Sequence, residues 1–187
     1  MAYVAPTVRS VGDAVTAADY NIMANDVIDL RSYSNRYARV KRTSGTITLS
    51  SNAVWANVDT GLDLTLNAIT GDVIEYAISA VASNTAVETY FDVVTIVAGN
   101  PVNSFGFDTT PANPPTNYGV QAWLCPSSII SPISGSAFRT LVSGDISSGT
   151  VTLRLRFANS SATTRPLNAG TPQPLEIWAR NHGPVTT

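Results

Sequence analysis

The sequence predicts an all-β fold, an antiparallel β-sandwich of jelly-roll type preceded by one N-terminal α-helix. Residues 15–33 have the apolar spacing of a helix, whereas from Ser44 onward apolar and polar residues alternate with a period of two. The strand-like runs are separated by Ser, Thr, Asn, Gly and Pro, without the spacing of βαβ units. With 187 residues and 44% apolar content, the chain can form one packed core.

The helix predicted over residues 15–33 has a clear start signal. Thr16 is a typical N-cap residue, and Asp19 follows three residues later as in a capping box. The apolar stripe of this helix is spaced three and four residues apart, so it would lie against the sandwich of the same chain or against a partner. The stripe consists of Tyr20, Met23, Val27 and Leu30.

A cluster of positive charge follows the helix. Residues 31–42 contain five of the eleven cations, although the formal net charge of the whole chain is −2. We expect these cations to contact an acidic protein surface. Tyr33 and Tyr37 lie among them as in single-strand nucleic-acid binders, but the helix C-terminus accounts for two of the cations, and no nucleic-acid partner is predicted. The predicted partner-binding residues are the helical stripe and Arg31, Arg36, Arg39, Lys41 and Arg42.

Residues 1–42 are therefore predicted to form an anchoring and oligomerising arm, and residues 43–187 the sandwich. The clearest strand places Leu62, Leu64 and Leu66 on one face, and Gly71-Asp72 marks the next turn. Eight to ten strands are expected, within TITLS (46–50), LDLTLNA (62–68), VIEYAISAV (73–81), AVETYFDVVTIVAG (86–99), VNSFGF (102–107), YGVQAWLC (118–125), SAFRTLVS (136–143), TVTLRLRFA (150–158) and PLEIWARN (174–181).

The run at 86–99 is apolar on both faces. Phe91 and Val93 face one way, and Tyr90, Val94 and Ile96 face the other. A sheet of a two-layer sandwich has one face in the core, so the second apolar face needs its own cover. That cover could be the N-terminal helix, a loop or another subunit. We predict another subunit, most simply in a ring of three, with Tyr90, Val94 and Ile96 at the oligomer interface.

No catalytic set, metal site or cofactor is predicted. His182 is the only histidine and Cys125 the only cysteine, so an ordinary zinc site cannot be formed. The segment NVDTGLD, which contains Asp59 and Asp63, lacks the residue order of a calcium loop and is interpreted as a turn. Carboxylate pairs for sugar hydrolysis depend on three-dimensional distances, and this alternative stays open. The tryptophans, which could stack on sugar rings or lie in the core, are Trp55, Trp123 and Trp178.

The composition favours a protein that is exposed in an assembly. Only 13% of the residues are charged, about half the usual fraction. The sequence shows neither a secretory signal nor an apolar run long enough to cross a membrane, so we expect synthesis in a reducing, soluble compartment.

Four segments resemble structural proteins of tailed bacteriophages. VGDAVTAADYNIMANDVIDLR (11–31) is similar to the VTAADWN opening of such proteins, with Tyr20 where the family often has Trp. WANVDTGLDLTLNAITGDVIEYAIS (55–79), SGDISSGTVTLRLRFAN (143–159) and PLEIWARNHGPV (174–185) are similar to their jelly-roll domains. The resemblance covers roughly residues 10–185 and implies a protein of the head decoration, head-fibre or minor tail type.

The resemblance implies a non-enzymatic protein of the virion, assembled in the host cytoplasm. The first expectation is a trimeric head decoration protein that binds and stabilises the capsid exterior through residues 1–42. Its partners would be its own copies and the major capsid protein or tail proteins. The alternative is a tail-associated adhesin, in which sandwich loops such as 108–118 and 159–173 bind host glycan or protein.

Overall fold

The computed structural model describes residues 35–50, 54–83, 88–105, 123–125, 130–168 and 174–184. Within these ranges the chain consists of β-strands and two short 3-10 helices, which confirms the predicted all-β sandwich. The helix predicted over 15–33 lies outside the described residues. The chain divides into two compact units, Met1–Asn35 and Arg36–Thr187, and the sandwich belongs to the second.

The elements follow one another along the chain with short connections. The strands are β1 (Tyr37–Arg42), β2 (Thr46–Leu49), β3 (Ala56–Asn57), β4 (Leu64–Asn67), β5 (Asp72–Ser83), β6 (Thr89–Val97), β7 (Asn100–Ser104), β8 (Trp123–Cys125), β9 (Ile130–Thr140), β10 (Thr150–Asn159), β11 (Arg165–Asn168) and β12 (Leu175–Pro184). The 3-10 helices are η1 (Thr60–Leu62) and η2 (Ser143–Asp145).

Two six-stranded antiparallel sheets form the sandwich. In sheet A, β5 pairs with β9 on one side and with β12 and then β11 on the other, while β1 pairs with β12 and β2 with β11. In sheet B, β10 pairs with β6 on one side and with β3 and β4 on the other, while β7 and β8 pair with β6.

Several short strands run end to end, so the twelve strands act as eight longer ones. β1 and β2 share the neighbours β12 and β11, β3 and β4 share β10, and β7 and β8 share β6. Counted in chain order, the first, eighth, third and sixth of these longer strands lie side by side in sheet A, and the second, seventh, fourth and fifth in sheet B. This is the strand order of a jelly roll, in which neighbours in the sheet are mostly distant in sequence.

The core lies between the two sheets and follows the predicted alternation. Side chains at even positions of β5 and at odd positions of β12, β6 and β10 point inward. The largest fully buried apolar side chains are Leu49, Leu66, Ile74, Tyr76, Phe91, Leu141, Leu153, Leu155, Leu167, Leu175 and Ile177. Two layers of inward-facing aliphatic and aromatic side chains therefore stabilise the sandwich by removing apolar surface from water.

Three predicted boundaries were wrong. Residues 37–42 do not belong to the N-terminal arm, because they form β1 and pair along their whole length with β12. Residues 159–173 are not all loop, because they contain β11. β9 begins at Ile130 rather than at residue 136, since Pro132 and Gly135 interrupt the sequence pattern without ending the strand. Proline is tolerated there because β9 lies on the outer side of β5 at the limit of the described sheet.

Candidate interaction surface

The outer face of sheet B is closed within one copy of the chain. Tyr90, Val94 and Ile96 point away from the core, as the sequence predicts, but they are only 5%, 2% and 7% exposed. The reasoning that these side chains need a second subunit as cover is therefore wrong. Their burial removes the physical basis for an oligomer interface at this position.

A buried ion pair lies on the same face. The guanidinium of Arg156 donates to Asp92 through Nε at 3.0 Å and Nη2 at 2.7 Å, and Ser104 Oγ donates to the same carboxylate oxygen at 2.6 Å. The ring of Trp55 lies against the Arg156 guanidinium, whose Cζ atom is 4.5 Å from the ring centroid. These contacts join β10, β6 and β7, so the charges stabilise the sheet instead of facing solvent.

The segment NVDTGLD is a turn, as interpreted from the sequence, and its carboxylates are bound by arginines. Asp59 caps η1 by accepting a hydrogen bond from Gly61 N at 2.8 Å, and it pairs with Arg42 at 3.0 Å. Asp63 binds both Nε and Nη2 of Arg154, the latter at 2.6 Å. Both carboxylates are thus engaged with cations of the same sandwich. Among the described residues, no group of three or more acids, histidines or cysteines could hold a metal ion.

At one end of the sandwich, Asp145 accepts hydrogen bonds from three elements. Its donors are Val142 N at 2.9 Å, Thr95 Oγ1 at 2.7 Å and Asn103 Nδ2 at 2.7 Å, and Arg139 Nη2 lies 3.3 Å away. Burial alone would raise the pKa of Asp145, but these hydrogen bonds and the charge of Arg139 lower it below its ordinary value. The geometry is that of a structural junction between β6, β7, β9 and η2.

The outer face of sheet A, in contrast, is open. We use this name for the outward side chains on four adjacent strands: Tyr37, Arg39 and Lys41 of β1; Glu176, Trp178, Arg180 and His182 of β12; Glu75, Ala77 and Ser79 of β5; and Ser134, Ser136 and Phe138 of β9. Tyr37 and Phe138 are each 56% exposed, among the most exposed large apolar side chains of the described residues. The outer face of sheet A is therefore the candidate interaction surface.

Aromatic rings on this face lie close together. The ring centroids of Tyr37 and Trp178 are 6.3 Å apart, with an angle of 30° between their planes. Phe138 and His182 form a second contact, with ring centroids 6.2 Å apart. His182 is not in a terminal turn, as the sequence suggested, but on β12, where its Nε2 atom is 2.9 Å from Glu75.

Ionised groups are interspersed with the rings. Arg39 Nη2 lies 2.8 Å from Glu176, and both side chains keep contact with solvent. This hydrogen bond, together with the charges of Arg39 and Lys41, lowers the pKa of Glu176, and the same pairing raises the pKa of Arg39. The pair is fixed in place at the edge of the Trp178 ring, since Arg39 is directly opposite Trp178 in the strand register.

The predicted partner-binding residues fall into two groups. The stripe Tyr20, Met23, Val27 and Leu30, together with Arg31, lies outside the described residues. Arg39 and Lys41 point outward from β1, whereas Arg42 reaches Asp59 and Arg36 precedes the strand, where its carbonyl accepts from Asn181 N at 2.8 Å. The basic cluster is therefore divided between the outer face of sheet A and the edge of the sandwich.

Sequence reasoning missed the aromatic part of this face, although a signal was present. In LEIWARNH, Trp178 alternates in step with Glu176, Arg180 and His182, and not with the apolar residues. A tryptophan in register with charged side chains indicates an outward position. Trp123 belongs to β8, and its side chain, like that of Cys125, lies outside the described set.

No protein-family model and no curated protein matches the chain. Solved structures with some likeness include T=1 particles derived from infectious bursal virus (10% identity, TM-score 0.40, 79% of this chain and 36% of that chain). A second is the T13 particle of infectious bursal disease virus (12%, 0.37, 81% and 37%). A third is a pentameric capsid protein isolated from metagenomic phage sequences (14%, 0.26, 96% and 83%).

The chain thus spans little more than a third of the bursal disease virus chains that it matches. All three neighbours are viral capsid proteins, and at these TM-scores they assign no function to this chain. What the described residues define is a class: an all-β antiparallel sandwich with the strand order of a jelly roll. In the same part of the chain, no helix is long and apolar enough to span a bilayer.

Proposed function

We propose that this protein is a non-enzymatic structural protein of a bacteriophage virion, and that it serves as a head decoration protein bound to the capsid exterior. The main support is the use of its charges. The pairs Asp92–Arg156, Asp63–Arg154 and Asp145–Arg139 each join separate strands or loops and leave little of the carboxylates exposed. Charges committed to bracing suit a rigid module that must withstand exposure, and the sequence resemblance to tailed-phage proteins points to the same role.

Attachment would involve the arm and the outward cations of β1. The test is to incubate purified full-length protein with capsids that lack it and to measure co-sedimentation over a range of salt concentrations. Binding that weakens as salt rises is expected for an electrostatic contribution. Absence of binding at every salt concentration would remove the decoration role.

The contribution of the cations can be tested at Lys41, which is exposed on β1. Lys41→Glu should weaken capsid binding, because it reverses a charge that faces the proposed acidic surface. Thr48→Glu is the matched control, since it adds the same acid at an exposed position of β2. Deletion of residues 1–35, which leaves β1 intact, should abolish attachment; a deletion variant that still binds would show that the arm is not the anchor.

Three-fold self-association stays a prediction. Because Tyr90, Val94 and Ile96 are buried in a single copy, the contacts of a trimer would have to involve other residues. Native mass spectrometry of the purified protein at micromolar concentration provides the test, and a strict monomer would contradict the trimer.

A tail-associated adhesin is the second candidate. The described part of the predicted binding loop, residues 160–164, is mostly exposed between β10 and β11. Immunogold labelling of intact virions separates the two positions, because a decoration protein would label the head and an adhesin the tail.

A further inference from the structure

The outer face of sheet A presents an apolar plane that is broader than a single ring. Tyr37 and Trp178 lie diagonally on neighbouring strands, 6.3 Å apart and tilted by only 30°. Both belong to antiparallel strands that are paired over six consecutive residues, so their backbones are held in a fixed register. The plane is thus built on the sheet and not on a loop.

The surface beside this plane is low and polar. In the strand register, Trp178 is followed across the sheet by Ala77 and then by Ser136, whereas Glu176 is followed by Ser79 and then by Ser134. These small side chains leave a shallow floor next to the aromatic pair. Their hydroxyl groups can both donate and accept hydrogen bonds.

Ionised groups border the same plane. The Arg39–Glu176 pair lies beside Trp178 with side chains that are 46% and 25% exposed, and Glu75 and His182 pair on the adjacent row. The guanidinium offers several donors and the carboxylate several acceptors at its edge. Hydrogen bonds to charged groups of this kind are stronger than those between neutral groups.

We propose that the outer face of sheet A is a binding site for a neutral saccharide, with a hexopyranose ring stacked on Tyr37 and Trp178. A pyranose has an apolar C–H face and a polar rim, and these match the aromatic plane and the surrounding Arg39–Glu176 pair and serines. The fit follows the usual design of a ligand site, in which apolar contact area is combined with a few placed polar groups.

A protein partner fits this face less well. The fully buried centre of a protein interface is depleted of charged residues, whereas here Arg39, Glu176 and Glu75 lie among the aromatic rings. A protein, including a second copy of the chain, would have to take these charges out of water. A saccharide leaves them partly hydrated and supplies hydroxyl groups to them. The proposal is independent of the virion role, because it concerns the isolated protein.

The first experiment applies labelled full-length protein to an array of defined neutral hexose oligosaccharides, acidic oligosaccharides and purified bacterial surface polysaccharides. Retention on at least one neutral hexose oligosaccharide is expected. The affinity for that oligosaccharide is then measured by isothermal titration calorimetry.

Tyr37→Ala and Trp178→Ala should each weaken binding roughly tenfold or more, as expected when a central aromatic contact is lost. Ile69→Ala is the control, because Ile69 is 60% exposed in the turn before β5 and lies away from this face. If Trp178→Ala does not fold, Tyr37→Ala alone decides, since Tyr37 is mostly exposed.

Retention on no probe would overturn the proposal. Equal binding by the wild type, Tyr37→Ala and Trp178→Ala would also overturn it, as would retention on acidic probes alone that is lost in Lys41→Gln but kept in Tyr37→Ala. Capsid attachment should be unchanged in Tyr37→Ala, so the outcome here is read separately from that of the decoration role.

Discussion

At the scale of single residues, Asp145 has more structural contacts than the sequence indicates. Its carboxylate is buried and accepts hydrogen bonds from Thr95, Asn103 and Val142, with Arg139 as its counter-ion. The segment GDISSG reads only as a turn. Nothing local in it indicates that Asp145 meets residues 50 and 42 positions away, because that meeting depends on the chain path.

Asp145→Asn should lower the free energy of unfolding by about 2–4 kcal/mol, because an amide cannot accept all of these hydrogen bonds and leaves Arg139 without its counter-ion. Urea unfolding followed by tryptophan fluorescence measures the loss. Asp59→Asn is the matched control; it breaks an exposed pair with Arg42, and we expect a loss of less than about 1 kcal/mol. Similar losses in the two variants would contradict the proposed importance of Asp145.

The same residue gives the stability a defined dependence on pH. Because the pKa of Asp145 is lower in the folded than in the unfolded chain, its contribution is fully present above the ordinary value of about 3.9 and is lost as pH falls through the lower folded value. Between roughly pH 4 and lower values, the wild type should therefore lose stability more steeply than Asp145→Asn. Parallel acid titrations of the unfolding free energy would show it.

At the scale of elements, β6 and β10 illustrate what a sequence pattern can predict. The alternation in AVETYFDVVTIVAG correctly placed Phe91 and Val93 in the core and Tyr90, Val94 and Ile96 on the other face. It did not predict that the second face would be covered within one copy. Periodicity reports which side a residue occupies, whereas the cover of that side is set by contacts that are remote in sequence.

The ion pair between these two strands can be tested by a double-mutant cycle. Arg156→Leu or Asp92→Leu alone should lower the free energy of unfolding by about 3–5 kcal/mol, because each leaves a buried charge without its partner. The double variant should recover a large part of this loss, since two apolar side chains then face each other. Chemical denaturation of the four proteins gives the coupling energy.

A matched cycle on Arg39 and Glu176 serves as the control for an exposed pair, for which the coupling should be below about 1 kcal/mol. A coupling energy for Asp92–Arg156 that is no larger than the one for Arg39–Glu176 would show that burial adds nothing to this pair.

At the scale of the whole molecule, the jelly-roll strand order makes nearly all strand pairings non-local. β1 pairs with β12, and β2 with β11. Since such pairings close long loops before they gain contacts, refolding should take milliseconds to seconds at 25 °C. Stopped-flow dilution from urea with tryptophan fluorescence measures it, and refolding complete within about 100 µs would contradict the expectation.

The class of fold could be predicted from the sequence, and the candidate surface only in part. Alternation in LDLTLNA and TVTLRLRFA is a local property, so the all-β sandwich follows directly from it. The pairing of Tyr37 with Trp178 across β1 and β12 is not local, because the two residues are 141 positions apart by their numbers. The basic run YARVKR showed the alternation of a strand but was placed in the arm, since charge was given more weight than period.

The pairing of β1 with β12 also brings the start and the end of the sandwich together. Asn181 N donates a hydrogen bond to the carbonyl of Arg36 at 2.8 Å. A short linker could therefore join the two ends and allow circular permutation with new termini in an exposed loop. For the same reason, a fluorescent protein or peptide fused ahead of Arg36 and another fused behind Pro184 would emerge at one corner of the domain.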